Sequence, residues 1–134
     1  MRRHKISLDK VQTAFNNAIK RRDYKCIVQD LKTPCSGQLE CSHFFGVGSN
    51  PALRFYPPNA YAQCSHHHLM HHTGKEPFYE NYIKFWHINE WNKMERMRHR
   101  YIKYTDELKT EIIRLCNEDK LWELRMLIEK ELGE

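Results

Sequence analysis

The sequence predicts a mostly helical α+β protein with a small two-stranded element in its middle third. Apolar residues recur at helical spacing in the first 22 residues and again beyond residue 76. Between these segments, prolines and glycines break the helical period and leave room only for short strands and loops. Four of the five cysteines and six of the nine histidines fall within residues 26–75, which predicts a metal site there.

A chain of 134 residues is expected to form one domain. We divide it into a basic N-terminal helix, a central metal-binding core, a pair of aromatic and basic helices and an acidic C-terminal helical segment. The corresponding ranges are 1–25, 26–75, 76–104 and 105–134.

Charge is unevenly distributed along the chain, whose formal net charge is +5. Residues 1–25 carry eight basic and two acidic side chains, and residues 84–104 carry six and two. Residues 105–134 carry five basic and nine acidic side chains. Two basic segments flanking a nearly neutral centre favour a polyanionic partner such as DNA. No segment has the pattern of a secretory signal or a membrane span, so we expect a cytoplasmic protein with reduced cysteines and no membrane partner.

The first helix is predicted over residues 7–22, with Ser7 as its N-cap. Arg21 and Arg22 lie in its last turn, where either the helix dipole or contact with DNA phosphate accounts for them. Its apolar side chains form one stripe, made up of Val11, Ala14, Phe15, Ala18 and Ile19.

The centre of the chain is predicted to hold two strands, at residues 39–45 and 60–63, followed by a helix over residues 65–72. The loop between the strands is long for a compact domain, and such loops are usually functional.

Three further helical segments are predicted after residue 76. The first begins at Pro77, the second runs from a cap at Asn89 to Tyr104 with Tyr101 facing inward, and the third begins at the Thr105 cap and is interrupted near residues 117–119. The acidic third segment either folds back on the body or pairs with a second copy as a homodimer. The second presents an outer basic face that is either solvated or in contact with DNA, consisting of Lys93, Arg96 and Arg100.

Cys64 and His67 have the spacing of a zinc knuckle at a strand-to-helix turn. Cys26 and Cys35 are the upstream candidates for the second half of a four-ligand structural zinc site. The alternative is that these two cysteines are buried small hydrophobic residues.

His68 and His72 are four residues apart on the predicted helix and therefore share a face, which suits two imidazole ligands on one divalent cation. His43, on the first strand, is a candidate general base, because its ordinary pKa of about 6.5 suits proton abstraction at neutral pH. A hydrogen-bonded polar residue in a turn is the alternative for His43. Glu40 is the nearest carboxylate and would reach the metal only if the strand bends.

The string ECSHFFG…ALRFYPPNAYAQCSHHH resembles the HNH, or His-Me finger, endonucleases with their ββα-metal fold. The resemblance is closer to the phage NinG/Rap-type recombination endonucleases. It implies that His43 is the general base, Asn59 the central asparagine that braces the loop, His68 and His72 the metal ligands, and Arg54 a phosphate contact. The sequence departs from the family pattern in the stretched spacing of the first knuckle and in His67, which stands where a cysteine is usual.

The resemblance implies a metal-dependent DNA endonuclease with one divalent cation, Mg²⁺ or Mn²⁺, beside a structural Zn²⁺. Its expected substrate is double-stranded or branched recombination DNA, cut in the host cytoplasm if the protein is phage-encoded. A zinc-stabilised DNA-binding or adaptor module without catalysis is the alternative, and a histidine-rich metal-storage or sensor protein is a third.

Overall fold

The computed structural model describes residues 5–28, 33–73 and 87–134, and within them it confirms a mostly helical α+β fold. The two strands are β1 (Leu39–His43) and β2 (Ala60–Cys64), which pair antiparallel. The helix predicted from Pro77 lies outside the described residues. No helix in the described ranges is long and apolar enough to cross a membrane. The α-helices are α1 (Leu8–Asp23), α2 (Ser65–His72), α3 (Ile88–Met97), α4 (Asp106–Asn117) and α5 (Leu121–Glu131).

The first helix begins as its capping residue predicts. Ser7 has extended backbone angles, and its hydroxyl accepts a hydrogen bond from the backbone N–H of Lys10 at 3.2 Å. The predicted apolar stripe is buried against α4 and both strands. Helix α1 therefore forms the centre of the main hydrophobic core.

Strand β1 ends at His43, two residues earlier than predicted. The chain turns there because Phe44 and Phe45 pack against Trp91, with ring centroids 5.1 and 5.3 Å from that of the indole. The loop before β2 contains two 3₁₀ turns, at Pro51–Leu53 and Pro57–Asn59. Much of this loop is hydrophobic core, because three of its side chains are fully buried, namely Leu53, Phe55 and Tyr56.

Helix α3 is shorter than predicted, and the prediction that Tyr101 faces inward is wrong. The helix begins after His87 rather than Asn89 and ends at Met97, and Tyr101 is 83% exposed. The chain leaves the helix early because the Tyr104 hydroxyl donates a hydrogen bond to the Pro51 carbonyl oxygen at 2.6 Å.

The acidic C-terminal segment folds back on the body. Thr105 caps α4 as predicted, with its hydroxyl accepting from the backbone N–H of Leu108 at 3.1 Å. The inner faces of α4 and α5 belong to the same core as α1, through Leu108, Ile112, Leu115, Leu124, Ile128 and Leu132.

Candidate functional site

Four predicted zinc ligands converge at one end of the hairpin, and we call them the Cys3His cluster: Cys26, Cys35, Cys64 and His67. Their ligand atoms all lie within 4.8 Å of one another. The Nδ1 atom of His67 is 3.5, 3.7 and 3.2 Å from the three sulfur atoms, taken in chain order. Tetrahedral zinc, with Zn–S near ~2.3 Å and Zn–N near ~2.0 Å, places its ligand atoms at about these separations. The cluster could therefore hold a zinc ion.

Backbone contacts bring the ligands together. Strand β2 ends at Cys64, whose sulfur caps α2 by accepting a hydrogen bond from the backbone N–H of His67. The chain after α1 runs beside β2, where the N–H of Ile27 bonds to the Ala62 carbonyl oxygen at 2.8 Å and carries Cys26 to the cluster. Gly37 has a φ of +85° and packs so closely on Ser65 that a β-carbon there would overlap the Ser65 hydroxyl.

A second hydrogen bond orients the histidine ligand. The Nε2 atom of His67 lies 2.6 Å from the carbonyl oxygen of Thr33, which can only accept a hydrogen bond. The proton therefore resides on Nε2, and Nδ1 is left free to bind a metal. Thr33 was not identified from the sequence as a partner of His67. Its contact is made by a backbone carbonyl, which every residue type has, so the identity of the residue gives no indication of it.

Three members of the Cys3His cluster are buried, whereas Cys35 is exposed. Cys26 is 6% and Cys64 4% exposed, and Val28, Ile27 and Leu39 pack around them. Burial raises the pKa of the Cys26 thiol. Burial also opposes ionisation of Cys64, but hydrogen bonds from the backbone of His67 and Ser36 lower its pKa below the ordinary value. Within residues 5–28, 33–73 and 87–134 this is the only group of three or more cysteine, histidine or acidic ligands close enough to share an ion.

Three other predicted site residues, His43, His68 and His72, line a single cavity of about 270 Å³, which we call the histidine cleft. Strand β1, the loop after it, α1 and α2 each contribute to its walls. The remaining lining residues are Gln12, Asn16, Cys41, Gly46, Val47 and Arg54.

His43 is held as a neutral base at the end of β1. Its ring stacks on Phe15 at 5.7 Å, and its Nε2 atom lies 3.1 Å from the carbonyl oxygen of Arg54. Because that oxygen can only accept, Nε2 carries the proton and Nδ1 is the basic nitrogen. Burial, together with the charges of Arg54 and His68, lowers the pKa of His43 to about 4. The imidazole is therefore uncharged at neutral pH.

His68 and His72 face each other across one turn of α2, with their Nε2 atoms 3.0 Å apart. The Nδ1 atom of His68 lies 3.0 Å from a carboxylate oxygen of Glu40. Glu40 thus contacts one ring nitrogen of His68, and His72 faces the other. In this position the Glu40 carboxylate can orient the His68 ring.

Asn59 lies outside the lining of the cleft and braces the loop behind it. Its side chain is fully buried and accepts a hydrogen bond from the Phe45 N–H at 2.8 Å. Its amide donates to the carbonyl oxygens of Phe45 and Leu53, at 3.0 and 3.2 Å. Asn59 thereby fixes the loop whose Arg54 carbonyl orients His43.

The predicted DNA contacts of the first half of the chain differ in their surroundings. Arg54 lines the cleft, where its Nε donates to Gln12 at 2.8 Å, and Gln12 in turn donates to Asn16 at 2.7 Å. Arg22 instead donates to the backbone carbonyls of Pro57 and Ala60, and so ties α1 to β2. Gln12 and Asn16 were not identified from the sequence as part of the cleft. Their i, i+4 spacing indicates that both lie on one face of α1, next to Phe15.

The remaining predicted DNA contacts form ion pairs. Arg21 pairs with Asp119 at 2.8 Å, beyond the end of α4. On α3, Lys93 pairs with Glu129 at 3.3 Å and Arg96 pairs with Glu134, and Arg100, which follows the helix, pairs with the same Glu134. The predicted basic face is therefore covered in part by acidic groups at the end of the chain.

The family comparison matches most of the chain. A family model described as Bacteriophage Lambda NinG protein matches residues 1–125. Neither the curated proteins nor the solved structures give a significant match.

Proposed function

Since this chain belongs to the bacteriophage lambda NinG family, we propose that it is a metal-dependent DNA endonuclease whose catalytic centre is the histidine cleft. The observation that carries this proposal is that His43, from the first strand, shares one cavity with His68 and His72. A neutral general base beside a pair of imidazole ligands is a combination suited to phosphodiester hydrolysis.

The order of the elements supports a ββα-metal core of the HNH type. Strands β1 and β2 form an antiparallel hairpin, and α2 begins at the residue after β2. His43 lies at the end of the first strand and His68 on the helix, and Asn59 braces the loop between the strands.

In the proposed mechanism, Nδ1 of His43 takes a proton from the water that attacks phosphorus. The bond from phosphorus to the 3′-oxygen breaks, and the departing 3′-oxygen takes a proton from solvent to become the 3′-hydroxyl. Arg54, held by Gln12, contacts the phosphate. Glu40 holds His68 with its Nε2 directed toward that of His72. A divalent cation such as Mg²⁺ or Mn²⁺ on these two histidines would stabilise the negative charge that develops at the phosphate.

The substrate class follows from the kind of contact available. Cations that hold phosphates convey little sequence information, which suits a nicking or structure-specific enzyme. Branched recombination intermediates are the substrate that the family resemblance implies, with 5′-phosphate and 3′-hydroxyl products.

The test is nicking of supercoiled plasmid with added Mg²⁺, Mn²⁺ or Ni²⁺. His43→Ala and His68→Ala should each lower the cutting rate by about 10²-fold or more, because one loses the base and the other a ligand. His66→Ala is the matched control, since His66 lies on the same helix, is exposed and does not line the cleft. Metal-dependent cutting that persists in His43→Ala would remove the base assigned here.

A second candidate is a zinc-stabilised DNA-binding or adaptor module without catalysis. The Cys3His cluster favours it, because that cluster presents four converging ligands, whereas the cleft presents two. Duplex binding without cutting under any of the three metals would select this candidate. Metal binding without DNA affinity would select neither and would indicate a storage or sensor protein.

A further inference from the structure

Two arginines, one in the last turn of α3 and one just after it, converge on a single carboxylate. Arg96 bonds to Oε1 of Glu134, and Nη1 of Arg100 lies 2.7 Å from Oε2 of the same side chain. Arg100 also donates to the carbonyl oxygen of Leu132 at 3.2 Å. Two guanidinium groups that hold two oxygens of one anionic group have the geometry that also binds two oxygens of a phosphate.

The turn after α5 places this carboxylate on the arginines. Gly133 adopts a φ of +77°, a left-handed conformation that glycine takes without strain. The following backbone N–H, that of Glu134, then donates to the carbonyl oxygen of Glu129 at 2.9 Å. The chain is thereby reversed, and the Glu134 side chain reaches the basic face of α3.

The neighbouring pair on the same face has a different character. Glu129 is 12% exposed and accepts from Lys93, from the Tyr56 hydroxyl and from Arg125, so it connects α3, α5 and the central loop. The Glu134 side chain is 16% exposed, but its partners Arg96 and Arg100 are 53% and 36% exposed, against 27% and 17% for Lys93 and Arg125, the cations that hold Glu129. Exposed ion pairs contribute little to stability, so an incoming anion can replace Glu134 far more readily than Glu129.

We propose that Arg96 and Arg100 form a phosphate-binding site for the DNA backbone and that the carboxylate of Glu134 competes with DNA for it. The inference rests on the proposed function, because DNA is taken as the polyanionic substrate. Binding at this site exchanges one carboxylate for one phosphate, so Glu134 lowers the affinity for DNA without closing the histidine cleft.

The test compares wild type with Glu134→Gln in the binding of a short labelled duplex, followed by fluorescence anisotropy over a series of KCl concentrations. Divalent cations are omitted to prevent cutting, and no chelator is added, so that the Cys3His cluster retains any zinc. Glu134→Gln should bind the duplex about three- to tenfold more tightly than wild type. The slope of log affinity against log salt concentration should also be steeper by about one to two, because one or two further phosphates are neutralised.

Glu131→Gln is the matched control, since it removes the same charge three residues earlier, at the end of α5, from an exposed residue that forms no ion pair within the described ranges. It should bind like wild type. The double substitution of Arg96 and Arg100 by Gln should abolish the gain caused by Glu134→Gln.

Equal affinities for Glu134→Gln and wild type would overturn the proposal, as would an equal gain in Glu131→Gln. Either result leaves the nuclease intact if the wild-type protein still nicks plasmid. If no variant binds duplex at all, both proposals fail together. A gain confined to Glu134→Gln in a protein that does not cut would support the phosphate site alone.

Discussion

The Cys3His cluster and the histidine cleft both use histidines of α2, yet they differ in almost every physical respect. The cluster has four converging ligands, and its histidine is fully buried. The cleft is an open cavity in which two imidazoles of α2 face each other and a third, that of His43, lies at the end of β1. A closed set of four ligands leaves no position for a substrate, whereas an incomplete set leaves room for water and phosphate.

We therefore expect substitutions in the two sites to have different effects on the protein. Loss of the cluster should weaken the fold itself, because metal binding to a site that exists only in the folded state contributes directly to folding. Loss of a cleft residue should affect activity far more than stability. A substitution in the cluster that affected only activity, or one in the cleft that affected mainly stability, would contradict the role given to that region.

The largest effect is expected at the cluster. Cys64→Ser should abolish stoichiometric zinc and lower the thermal unfolding midpoint by about 10 °C or more, which corresponds to the loss of about 3 kcal/mol. Zinc content by elemental analysis and a melting curve are the measurements. Cys41→Ser is the control, because Cys41 lies on the same hairpin but outside the cluster, and it should retain zinc. A wild-type protein that contains no zinc would contradict the assignment.

A smaller effect is expected from the pH dependence of His43. Its pKa of about 4 in the folded protein lies below its ordinary value of about 6.5. Between these values the unfolded chain binds a proton that the native protein does not, so stability falls as the pH is lowered through this window. The loss should be on the order of 2 kcal/mol.

Denaturant unfolding at several pH values measures this effect. His43→Phe, which retains an aromatic ring beside Phe15, should show a shallower decline than wild type between pH 6.5 and 4. His66→Gln should decline as wild type does. Identical curves for His43→Phe and wild type would show that His43 is protonated normally in the folded state.

The smallest effect is expected at Gly37, which supports the cluster without contacting a metal. Gly37→Ala should cost about 1–2 kcal/mol, because it places a β-carbon at positive φ and against the Ser65 hydroxyl. The companion change Ser65→Gly should recover only the part due to overlap. An unfolding curve for each variant measures the two contributions, and full recovery would show that backbone strain contributes nothing.

Local signals in the sequence predicted the elements that depend on local interactions. Ser7 and Thr105 cap their helices as expected, because a cap involves residues three positions apart. The ligand-forming residue types likewise identified the Cys3His cluster. Helix α3 was predicted too long, because the contact that redirects the chain joins Tyr104 to Pro51, far away in sequence.

Contacts between residues far apart in the sequence could not be predicted from local sequence patterns. The acidic charge of the last segment was evident, but the pairing of Glu134 with Arg96 and Arg100 depends on how two helices pack. Glu40 was expected near the metal, and its place behind His68 depends on the pleat of β1 relative to α2. Such details require the tertiary structure because no periodicity encodes them.

Adjacent positions in α2 have a consequence for how this segment can change over evolutionary time. His67 serves the cluster, and His68, the next residue, serves the cleft. Successive residues of an α-helix are separated by about 100° around its axis, so inserting or deleting one residue before them would rotate both rings away from their partners. Point substitutions at exposed positions such as His66 can be tolerated, whereas a change in the length of α2 would remove both sites in a single event.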